Sequence, residues 1–149
     1  MPAPEDDRKP STPTVPAGLA SGSAPGIAVN LTKVDRIAMI KDSIAAAESI
    51  AVEADARMDS PDGVQASRAR RIAIDARNKR DDLNEVLIFL TNKDVLKPIP
   101  ADDIRRLDEL GDEIDGRIQA GALVSATLKI LTVTLNSVAS IGQILDERV

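Results

Sequence analysis

Residues 120–145 read AGALVSATLKILTVTLNSVASIGQIL, and they carry one charge, Lys129, in a chain of which 29% is charged. Wound as a helix at 100° per residue, this stretch gathers its polar side chains on one side. Ser125, Lys129, Thr132, Asn136, Ser140 and Gln143 fall within a stripe about 80° wide. The other ~280° is mostly Leu, Ile, Val and Ala, whereas a surface helix needs an apolar face of only about 100° or somewhat more. Such a helix requires neighbours on nearly every side. It is the core of a bundle, an oligomer or a membrane assembly.

Upstream, the chain supplies candidates for those neighbours. Thr32 is placed to cap a first helix, with Asp35 in the capping-box position three residues on. From there Ile37, Ile40, Ile44, Ala47, Ala51, Ala54 and Met58 recur at spacings of three and four, a heptad seam. DSPDG at 59–63 is a tight connection, in which Ser60 is the expected cap and Pro61 the first residue of a second helix. That helix should run to about Thr91 on a seam of Ala66, Ala69, Ala73, Ala76, Leu83, Leu87 and Leu90, with Ile72 and Val86 alongside. Pro98 and Pro100 force the segment 92–100 out of helix. Asp102 and Asp103 suit the positive end of a third helix, which buries Ile104, Leu107, Leu110, Ile114 and Ile118.

No proline or capping residue interrupts the apolar phase from that third helix into Val124, Leu128, Leu131, Leu135, Val138 and Leu145. The sequence therefore favours one continuous helix of about 45 residues, roughly 65 Å long. The alternative is a break near Gly121 and four helices. The expected fold class is all-α: an elongated antiparallel three-helix bundle over 31–149, or four helices with that break. In the three-helix form, short connections set 123–145 against the Ala-rich end of helix one and the start of helix two. The acidic segment 102–115 would then pass Lys79 and Arg80. Residues 1–30 hold six of the nine prolines among Ser, Thr, Gly and Ala, the composition of a disordered arm.

Composition narrows the function. Cys, His, Trp and Tyr are all absent and Phe89 is the single aromatic. Zinc, haem and copper sites built on His or Cys are excluded. No His, Cys or Tyr is present to act as base or nucleophile, nor is a GxSxG, Walker or GxGxxG pattern. No catalytic residue, cofactor or small-molecule substrate is expected. The basic run from Arg68 to Arg80 is the one nucleic-acid candidate. Net charge −5, the interrupting Asp75, Asp81 and Asp82 and the lack of stacking aromatics argue against it. Asp108, Asp112 and Asp115 share a helix face and have the oxygen chemistry for Mg²⁺ or Ca²⁺, but no EF-hand register accompanies them. No metal is expected.

The first thirty residues contain Asp6 and Asp7 and no apolar run of signal-peptide length, and no lipidation pattern is present. The expected compartment is the cytoplasm. For residues 120–145 a membrane is the alternative, since about 20 residues suffice to span one. Lys129 near the middle costs about 2.5–3.5 kcal/mol there, and basic flanks are missing. The expectation is a protein acting through a protein partner or self-association, as an adaptor, chaperone-like protein, inhibitor or assembly subunit. A small membrane-associated or pore-forming protein is the rival. If two helices cover only part of the apolar arc, an uncovered strip remains, and Ile130, Leu131, Leu135, Val138 and Ile141 are the expected interface residues.

Overall fold

A computed structural model describes residues 31–115 and 122–148. The predicted arm 1–30, and with it Ile118, Gly116 and Gly121, lies outside the described residues. The described residues form four helices, in order α1 Lys33–Asp55, α2 Gly63–Asn92, α3 Ala101–Ile114 and α4 Val124–Leu145. No strand occurs among the described residues.

Local chemistry sets the helix ends. The Thr32 hydroxyl accepts from the Asp35 N–H at 3.1 Å, and the Asp35 carboxylate accepts from the Thr32 N–H at 3.3 Å, which completes the expected capping box. At α2 the cap is not Ser60. The Asp62 carboxylate accepts from Val64 and Gln65 N–H, so the helix starts at Gly63, two residues later than expected. Asp and Ser are comparable caps, and here Ser60 instead steadies the turn by accepting from the Asp62 N–H. The far end of α2 is capped from a neighbour: Lys33 Nζ donates to the Thr91 and Lys93 carbonyls, both at 2.8 Å. A cation suits the negative end of the helix.

The continuous third helix does not form; the chain takes the four-helix alternative. The Ser137 hydroxyl donates to the Glu113 carboxylate at 2.6 Å, across 24 residues of sequence. In an unbroken helix those residues would stand about 36 Å apart. The chain therefore reverses between Ile114 and Val124, and α3 folds back antiparallel on α4. That reversal also turns α4 around. Arg36 near the start of α1 meets Glu147 just beyond α4, and Ile130 and Leu131 early in α4 lie by Ala46 and Ile50. So α4 runs antiparallel to α1 and alongside α2.

Only the first half of α4 reaches the small-residue end of α1. Its second half lies by Leu83 and Val86 of α2. The expected pairing of the acidic segment with Lys79 and Arg80 is likewise not made, because α3 packs chiefly on α4. Arg80 pairs with its neighbour Asp81, Arg77 with Asp55, and Arg105 and Arg106 with Asp102 and Glu109 of their own helix.

The seams read from sequence form the core. Ile40, Ala47, Ala51 and Ala54 of α1 and Ala69, Ala73, Ala76, Leu83 and Leu90 of α2 are all buried. The alanines let α1 and α2 pack closely along their joint length. Around α4 stand three neighbours rather than two, each able to cover about 100°. That accounts for its apolar arc, and the polar stripe at Ser125, Lys129, Thr132, Asn136 and Gln143 faces outward.

Candidate interaction surface

The five side chains expected to form an interface are mostly interior. Leu131, Leu135, Val138 and Ile141 are buried within the chain itself. Ile130 is half-buried and lines a shallow groove of about 200 Å³ between α1 and α4. The strip that two neighbours would have left open is covered by α3. The sequence left this open because no proline or N-cap residue marks the reversal, and the glycines at 116 and 121 are compatible with either a helix end or a continued helix.

Acidic side chains of α3 are brought beside α1. Asp108, Asp112 and Asp115 join Asp42 around a groove of about 320 Å³ floored by Leu107 and Ile141. No group of His, Cys, Asp or Glu among the described residues is arranged to hold a metal ion.

One polar centre escaped the sequence reading. Arg36 is 2% exposed and Glu147 8%, and the two form an ion pair between α1 and the C-terminal tail. Glu147 also accepts from the Lys97 backbone N–H at 3.0 Å and pairs with Lys93 Nζ at 3.2 Å. Arg36 donates in addition to the Leu31 and Lys97 carbonyls. Burial works against the Glu147 charge, but the Lys97 N–H and the Lys93 and Arg36 cations outweigh it and hold the carboxyl below the usual range. Asp146 next door is lowered chiefly by its hydrogen bonds from Arg148. The cluster clasps the tail and the α2–α3 connector to the start of α1. A signal did exist: Arg36 sits four residues before Ile40 and seven before Ser43, on the buried side of α1.

The outer face of α2 is a different kind of surface. Its first half presents Val64, Arg68, Arg70, Arg71 and Ile74, all exposed. Among the described residues these three arginines form no ion pair. Its second half presents Asp81, Asp82 and Glu85 with Ile88 and Phe89. Asp81 pairs with Arg80, Glu85 with Arg148 at 2.8 Å, and Lys93 lies over the Phe89 ring at 5.2 Å. The helix is thus basic at one end of its exposed face and acidic at the other, with apolar side chains at both. The sequence showed the basic run but not which side of it faces out.

Among the described residues one helix, α4, is long and apolar enough to cross a membrane, and in the fold it is the central packing element of the bundle. No protein-family model, curated protein or solved structure matches the chain.

Proposed function

We propose that the chain is a non-enzymatic helical module that acts by protein–protein contact through the exposed face of α2. The observation that supports this is the combination on that face of exposed apolar side chains, Val64, Ile74 and Ile88, with the arginines at 68, 70 and 71. Apolar anchors supply affinity at a protein contact, and complementary charges supply register and association rate. Composition supports the same reading in part, since the chain has no His, Cys or Tyr to serve as base or nucleophile.

Affinity purification from the native host, run side by side with an Arg70→Glu/Arg71→Glu variant, tests it. The expected result is a protein retained by the wild type, another copy of the chain included, and lost by the variant. Retention of the same proteins by both would refute α2 as the contact.

A second reading rests on the apolarity of α4. It makes the chain a small membrane-associated protein whose bundle opens to insert that helix. Ten α4 positions are buried by its neighbours, so insertion would first expose the rest of the core. Carbonate-washed membrane fractions test this reading: a chain found wholly in the aqueous fraction would refute it.

A further inference from the structure

We infer that the partner for the α2 face is a second copy of the same chain, docked antiparallel across a two-fold axis at the level of residue 76. The inference rests on the contact reading above and names its occupant. The charge pattern of α2 is self-complementary in the antiparallel sense alone. Arg70 and Arg71 lie six and five residues before the axis, and Asp81 and Asp82 lie five and six after it. On a helix at 100° per residue, Arg70 and Asp81 fall to one side of the exposed midline, and Arg71 and Asp82 to the other.

A two-fold axis lying in the interface across the helices reverses direction but preserves side. It therefore brings Arg70 opposite the partner's Asp81, and Arg71 opposite the partner's Asp82. By symmetry the dimer holds four such pairs. The same operation sets Ser67 opposite the partner's Glu85, and exposed Val64 opposite the partner's Phe89. The two copies of Ile74, 52% exposed in the single chain, flank the axis about 6 Å apart along the helices. A parallel pairing would instead stack arginine on arginine and aspartate on aspartate, with like charges repelling. Contact between identical faces closes the assembly at two copies.

Sedimentation velocity at up to about 100 μM should show a dimer that weakens about tenfold as ionic strength rises from about 0.05 to about 0.5 M. Two charge reversals sharpen the test. Arg70→Glu/Arg71→Glu and Asp81→Arg/Asp82→Arg should each be folded by circular dichroism and monomeric alone. Mixed in equal amounts they should form a heterodimer, because the reversed positions of each chain then face native charges' opposites on the other. A folded pair that stays monomeric when mixed, beside a dimeric wild type, would overturn the arrangement.

Should either reversal fail to fold, single cysteine probes carry the test, since the chain has no cysteine of its own. Ile74→Cys should cross-link to its copy under mild oxidation, whereas Val64→Cys should not, its copy lying about 36 Å away along the helices. Self-cross-linking at position 64 would overturn the antiparallel sense. A monomeric wild type that still retains a host protein through α2 refutes the self-association and leaves the contact reading standing. A monomer that retains none refutes both.

Discussion

Replacing Glu147 with Gln keeps the shape of the tail and removes its charge. Arg36 then stays almost wholly buried without an anionic partner, while retaining the Leu31 and Lys97 carbonyls. Breaking a buried ion pair by removing one partner costs about 3–5 kcal/mol. The retained carbonyls place this case at the lower end, about 3 kcal/mol. For a chain of this size that is a fall in melting temperature of roughly 10 °C. Chemical denaturation of both proteins across pH measures it. The folded-state pKa of Glu147 lies below its unfolded value of about 4.5. Its contribution is therefore fully present above about pH 5 and is lost as pH falls through the folded pKa. The gap between wild type and Glu147→Gln should be constant near neutrality and close in acid. Arg36→Met combined with Glu147→Met should recover most of the loss, because it leaves no unpaired charge behind. A difference below about 1 kcal/mol at pH 7, or one unchanged down to pH 3, would refute the clasp as a stabilising element.

Leu131→Ala should destabilise the single chain by about 2–5 kcal/mol in urea denaturation, as a core truncation does; a fold of unchanged stability would remove Leu131 from the core. At Gly142 a Cβ would stand 2.8 Å from Leu83 Cδ2. The atom met is the end of a flexible side chain, so the overpacking cost stays at about 1 kcal/mol and Gly142→Ala should be close to neutral against a helix-propensity gain of about 1. In a double-mutant cycle with Leu83→Ala the coupling should be at least about 0.5 kcal/mol, and additivity would refute the close approach. The Thr127 hydroxyl is buried with no hydrogen-bond partner among the described residues, so Thr127→Val should raise the unfolding free energy by about 1 kcal/mol; a loss of that size would reveal a partner for it.

The exposed face of α2 shows how far pattern reading reaches toward a site. The Arg68–Arg80 run stood out in the sequence, but its pairing did not. Arg77 and Arg80 are taken up by Asp55 and Asp81, whereas Arg68, Arg70 and Arg71 form no ion pair among the described residues and stay exposed. The Arg36–Glu147 clasp joins residues 111 positions apart. A pairing of that range has no local signature beyond an arginine placed on an apolar helix side.

By itself the sequence determined the all-α class, the seams of α1 and α2, the Thr32 capping box and the polar stripe of α4. Each follows from interactions within a few residues along one helix, where side-chain spacing and backbone capping act directly. What only the tertiary structure decided was the reversal between Ile114 and Val124, the direction of α4 and the burial of Leu131, Leu135, Val138 and Ile141. Helical phase continues through 114–124 in either conformation, so periodicity could not distinguish a straight helix from a folded one. Packing decides it. A 280° apolar arc is stable only when three helices surround it, and α3 can be the third only by turning back on α4.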